Sequence, residues 1–188
     1  MAGHKISANA LKKARKAFEA NEPRNLFYRA ATELVDLALR GATSLTVAEA
    51  LAVLLQTWNK AYYQYRKFDN VHFTDIENLL AENRLLITSY RPRTIDQLDD
   101  ADGTTIETLF QSFERVLGPV GAAKALHLLA PNFFPLWDRA IAQAYNLKLG
   151  RAGSNGERYC QFLSISKRQC LDVTRDNPNC GDPLKSSR

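Results

Sequence analysis

The sequence predicts an all-α fold on three observations. The capping-box pattern, Ser or Thr followed three residues later by Glu, occurs at Thr46/Glu49, Thr74/Glu77, Thr104/Glu107 and Ser154/Glu157. Each opens a stretch whose apolar residues recur every three or four positions, the spacing of one helix face. No stretch alternates apolar and polar residues over five or more positions with β-branched enrichment, so strands are not expected. With 188 residues, 45% of them hydrophobic, the chain suffices for one ordinary domain. Its 9 Gly and 7 Pro are too few for a collagen-like or low-complexity chain.

The elements follow in order. A basic helix is expected over 7–20 and a second over 24–40. Pro23 fits the first turn of the second, Leu26, Phe27, Leu34, Leu37 and Ala38 form its apolar face, and Gly41 stops it. Further helices are expected over 47–66, 75–88, 105–117, 122–130, 139–148 and 155–174. Residues 89–103, with Pro92 and four aspartates, read as the longest loop. Its acidic run 96–102 lacks the length and terminal Glu of a calcium loop and is expected to cap the next helix. The domain spans 1–176, and the Asn-Pro, Cys-Gly and Asp-Pro pairs of 177–188 read as a frayed tail.

Composition narrows the function classes. No apolar run approaches the roughly 18 residues needed to span a bilayer, and the polar, basic N-terminal stretch has no apolar segment behind its charges. The expectation is a cytoplasmic protein. Cys160, Cys170 and Cys180 are odd in number and ten residues apart, which suits neither a disulfide framework nor a zinc site. The net charge is +5 and unevenly spread. Residues 1–30 hold 7 Lys/Arg against 2 acids, 31–138 hold 9 against 14, and 139–188 hold 9 against 4. If the basic ends converge they form a positive face suited to phosphates.

The chemistry concentrates in 113–145, FERVLGPVGAAKALHLLAPNFFPLWDRAIAQAY. A helix is expected to end at Leu117, turn through Gly118, Pro119, Val120 and Gly121, and restart at once. The amides of Val120, Gly121, Ala122 and Ala123 would then converge on one spot suited to a backbone phosphate. Lys124 lies just inside the second helix, and Asp138 stands where an N-cap belongs. The return between them is long enough for both to share one cleft. A plain N-cap and a solvated helix lysine are the structural alternatives. His127 reads as an exposed helix histidine. A second cluster, Trp58, Tyr62, Tyr65 and Arg66, interleaves aromatic and basic residues. It suits either a helix face turned to the core or stacking and wedging against bases, and Trp137 could wall the same pocket.

On Gly121, Lys124 and Asp138 the stretch resembles the helix-hairpin-helix DNA glycosylase superfamily. Its members carry a Gly-containing hairpin, in bifunctional cases a lysine shortly after it, and an aspartate capping the next helix. The departures are a displaced first glycine, Lys124 standing three residues past Gly121 rather than two, a shorter Lys-to-Asp spacing, and no four-cysteine iron–sulfur motif. The resemblance implies two helical lobes with a cleft between them and the motif over about 105–148. It implies a monomer that flips a damaged or modified base out of double-stranded DNA and cuts its N-glycosidic bond, in base-excision repair or in defence against DNA carrying modified bases. Asp138 would stabilise the sugar cation, since a carboxylate suits the positive charge developing at C1′. Lys124, as a nucleophile, would add AP-lyase activity through a Schiff base. No cofactor is implied beyond a structural monovalent cation at the hairpin, and no membrane partner. The alternatives are a non-catalytic helix-hairpin-helix DNA-binding module and a helical protein-interaction domain.

Overall fold

The computed structural model describes residues 6–21 and 24–176, and among these all regular structure is helical. The expected helix start at Pro23, the 177–188 tail and Cys180 lie outside the described residues. The helices are α1 (Ala8–Asn21), α2 (Arg24–Leu39), α3 (Val47–Trp58), α4 (Lys60–Tyr63), α5 (Asn70–Glu82), α6 (Arg84–Tyr90), α7 (Asp102–Leu129), α8 (Arg139–Ala144) and α9 (Gly156–Asp176). A 3-10 turn, Ile95–Gln97, precedes α7. No helix among the described residues is long and apolar enough to cross a membrane.

Helix α7 is the axis of the molecule. It packs against α2, α3, α5 and α9, and its Ile106, Leu109, Phe110, Phe113, Leu117, Leu126 and Leu129 are buried in one contiguous core. Each such Leu, Ile or Phe side chain contributes about 1.5–3 kcal/mol on leaving water. The face of α2 differs from expectation. Ala31 and Val35 are its buried residues, while Leu26 and Phe27 are exposed at 67% and 48%. The inward stripe runs Tyr28, Ala31, Val35, Ala38, one helical face at three- and four-residue steps.

Several boundaries are corrected. The Thr46/Glu49 box forms as expected. Helix α5 starts before Thr74 because the Asp69 carboxylate accepts from the His72 amide at 3.0 Å. The stretch predicted as 75–88 is divided at Asn83, whose side chain donates back to the Leu79 carbonyl. Thr104 lies inside α7. The acidic run does not cap that helix, because Ala101 holds the N-cap position and Asp102 is gripped by Arg93 at 2.8 and 2.6 Å. The 89–103 loop carries a capping box of its own, Thr94/Gln97. Ser154 does not cap α9, since its hydroxyl donates to the Arg151 carbonyl. The next residue, Asn155, is buried and donates its side-chain amide to the buried Glu114 carboxylate. Helix α8 stops at Ala144, and Asn146 then takes φ 57, a left-handed conformation that asparagine tolerates.

The largest correction concerns the hairpin. The two helices expected over 105–117 and 122–130 are present within α7, but they meet at a single non-helical residue, Gly118, with φ 71 and ψ 168. Pro119 cannot continue a helix, because it has no N–H and its ring clashes with the carbonyl four residues back. It also drives the preceding residue out of helical space. Gly118 absorbs that demand, and Pro119 serves as a first-turn residue of the second half. No separate turn of four residues exists.

Candidate functional site

Two helix breaks meet at one place. The stretch predicted as a single 47–66 helix ends at Trp58, because Asn59 adopts φ −114 and ψ 29. Asn59 is buried and its Nδ2 donates to the Leu117 carbonyl at 3.3 Å, while the Tyr62 hydroxyl donates to the Val116 carbonyl at 3.0 Å. The break at Gly118 leaves carbonyls that need donors, and the break at Asn59 supplies them. Contact is close enough that a Cβ on Gly121 would stand 2.8 Å from Asn59 Nδ2, and one on Gly118 would stand 2.8 Å from the Tyr62 ring.

Lys124 and Asp138 line the same cavity, of about 600 Å³, bounded by residues of α1, α2, α3, α4, α7 and α8 and the segment leading into α8. Its apolar walls include Trp58, Trp137, Phe18 and Phe27. Asp138 is half-buried, and its Oδ1 accepts from the Ile141 amide at 2.8 Å, the N-cap expected of it. The Lys124 ammonium donates to the Trp58 carbonyl and lies 5.7 Å from the centre of the Trp58 ring. That carbonyl is one that the end of α3 leaves without a helical partner. The negative end of the helix and the indole face both attract a cation.

Behind the cavity wall stands a polar core that the sequence reading missed. His127 is largely buried, not exposed. Its Nδ1 lies 2.7 Å from the Phe134 carbonyl, which can only accept, so Nδ1 carries the proton and Nε2 accepts from the Tyr28 hydroxyl at 2.9 Å. Burial pushes the imidazole pKa below its usual value. The Tyr28 ring stacks on Trp58 at 5.4 Å and on His127 at 5.7 Å. The missed signal was the spacing of Tyr28 to Ala31 and Val35, which puts it on the inward face of α2.

The other predicted site residues separate. Trp137 is fully buried against Phe110 and Tyr159 and reaches the cavity from the core side. Tyr62 and Tyr65 line an adjoining cavity of about 740 Å³, Tyr62 tied to α7 and Tyr65 standing 93% exposed. Arg66 lies apart from both. Its Nε donates to His72 Nδ1 at 3.0 Å and its Nη2 contacts Asp75 at 3.2 Å, while the Tyr63 hydroxyl is hydrogen-bonded to the other ring nitrogen, Nε2, at 3.0 Å. Arg66 is therefore corrected to a structural cluster at the start of α5. Of the four residues expected to offer amides, Val120 and Gly121 line the second cavity, whereas Ala122 and Ala123 are buried away from it.

Among the described residues no group of three or more His, Cys, Asp or Glu side chains converges as a metal site. At the kink the Val116 and Leu117 carbonyls accept from Tyr62 and Asn59. Cys160 and Cys170 are free thiols on α9, and burial pushes Cys160 up to about 11. The chain matches no known family model, no curated protein and no solved structure.

Proposed function

We propose that this chain is a DNA glycosylase that takes an extruded, damaged or modified base into the cavity of Asp138 and hydrolyses its N-glycosidic bond. One observation carries the reading. A lysine and an aspartate fourteen positions apart open into the same aromatic-walled cavity, beside a helix break that the sequence places at Gly118 and Pro119. A cavity of about 600 Å³ falls within the range of small-ligand sites, roughly 300–1,000 Å³. In this reading the cavity is the cleft between two helical lobes, and the Trp58 ring flanks the base with the buried Trp137 behind the wall.

The chemistry then follows from the residues. The bond from C1′ to the base nitrogen breaks, its electron pair leaves with the base, and positive charge develops on the sugar. The Asp138 carboxylate, its Oδ1 steadied by the Ile141 amide, stabilises that charge electrostatically. Water adds to C1′, and its proton passes through the carboxylate to the departing base. Lys124, held at the end of α3, serves as a fixed cation for the adjacent phosphate rather than as the attacking amine. The AP-lyase step that the resemblance allows would require it to leave the Trp58 carbonyl.

The test is incubation of the full chain with duplexes carrying oxidised, alkylated and hypermodified bases, scored for abasic sites by alkaline cleavage. Asp138→Asn keeps the N-cap, since asparagine caps as well as aspartate. It is expected to lower base release by about two to three orders of magnitude, the scale of losing one electrostatic stabiliser, with duplex binding retained. Wild-type rates in Asp138→Asn, or no abasic sites from any duplex, would sink the reading. Retained binding without base release is the outcome expected of a non-catalytic DNA-binding module.

A further inference from the structure

The Asp138 cavity is one end of something longer. It shares Trp58, Ala61, Lys124 and Asp138 with the cavity beside the Gly118 kink. That second cavity in turn shares Pro119, Arg139 and Leu149 with a third, of about 480 Å³, that reaches Lys148. Through these shared wall residues the three cavities adjoin in a row, a segmented trench. Its charged lining residues are Lys60, Lys124, Arg139 and Lys148 against a single carboxylate, Asp138. Lys60, Arg139 and Lys148 are exposed, and among the described residues none of the three enters an ion pair. Three exposed cations along a concave track with one acid among them complement a polyanion.

We propose that this trench is the track of one nucleic-acid strand, with Arg139 and Lys148 holding backbone phosphates on one side of Asp138 and Lys60 on the other. The wall beside the kink favours nucleic acid over an acidic peptide. The 93% exposed Tyr65 ring stands there next to Tyr62, and an exposed aromatic beside a cationic track is a platform on which bases stack. The proposal takes from the glycosylase reading only that Asp138 meets the sugar. Its cations and walls call for a strand whether or not a base is released.

The experiment is fluorescence anisotropy of the full chain on an unmodified 20-base-pair duplex across a range of NaCl concentrations. Each phosphate neutralised adds about 0.9 to the magnitude of the log–log salt slope. Arg139→Ala/Lys148→Ala is therefore expected to flatten the slope by about 1.8, with the thermal transition unchanged because both side chains are exposed. The matched control, Arg84→Ala/Arg115→Ala, removes two exposed cations outside the trench and is expected to leave the slope within about 0.5 of the parent. Equal flattening in both pairs, an unchanged slope in the trench pair, or a parent without salt-dependent binding would each overturn the proposal. So would displacement of the duplex by an equal charge concentration of polyglutamate. The two readings fail separately. Trench-dependent binding without abasic sites removes the glycosylase alone, and base release with an unchanged trench slope removes the trench alone.

Discussion

Replacing Gly118 by alanine perturbs both sides of the junction between the two helix breaks. At φ 71 and ψ 168 the backbone occupies a region that is essentially open only to glycine, costing about 1–3 kcal/mol for other residues. The new Cβ would also stand 2.8 Å from the Tyr62 ring. Moving the ring strains or breaks the hydroxyl bond to the Val116 carbonyl, at about 1 kcal/mol. Reduced freedom of the unfolded chain returns about 0.4–1 kcal/mol. The net expectation is a loss of about 2 kcal/mol, or about 4–8 °C in Tm for a chain of this size. Urea unfolding followed by circular dichroism measures the first and a thermal melt the second. A cycle with Tyr62→Ala isolates the steric share, because Gly118→Ala should cost about 1 kcal/mol less once the ring is gone. Stability within 0.5 kcal/mol of the parent in the single variant would refute the strained junction.

Two further outcomes are expected. Burial lowers the folded pKa of both His127 and His72 below 6.5, with the nearby Arg66 charge adding to the effect at His72. Below pH 6.5 the unfolded chain binds protons that the folded chain resists, so this stability is full above 6.5 and drains as pH falls through the window beneath it. Tm should therefore drop between pH 7.5 and 5.5, and His72→Gln/His127→Gln should lose most of that dependence. An equal pH dependence in the double variant would contradict it. With Lys124 bonded to the Trp58 carbonyl, borohydride should trap no covalent protein–DNA adduct, and base release should persist at a reduced rate in Lys124→Gln. A trapped adduct that vanishes in that variant would make Lys124 the nucleophile after all.

What the sequence revealed follows from how locally each feature is encoded. Helical content was legible because apolar spacing and caps act within a few residues, as the Thr46/Glu49 box does. Asp138 was legible as an N-cap for the same reason. The boundary errors arose where tertiary contacts outweigh local preference. Asn59 breaks a helix because a carbonyl 58 positions away needs its amide, and Arg66 turns to His72 and Asp75 rather than to the cavity. The acidic run 96–102 has the composition of a cap, but Arg93 holds its last member, Asp102, from outside the helix. The hairpin was misread by length alone. Gly-Pro is enough to announce a break, yet one residue at positive φ does what four are expected to do. Lys124 and Asp138 sharing a cavity was legible only as something the chain length permits. The Tyr28–His127 pair, 99 positions apart, left no mark beyond the inward register of each helix.

The chain has two tryptophans, Trp58 and Trp137, and both stand in the wall of the Asp138 cavity. Its indole emission therefore arises wholly at the candidate site, with no background from elsewhere in the fold. The two emitters differ in kind. Trp137 is sealed in the core, while Trp58 is partly open and carries the Lys124 ammonium against its ring. A small diffusing quencher such as acrylamide would reach one and not the other, and an occupant that drew Lys124 aside would change the emission of the accessible ring first. The protein thus carries its own optical reporter at the place where its occupancy is in question, and unlabelled protein suffices to read it.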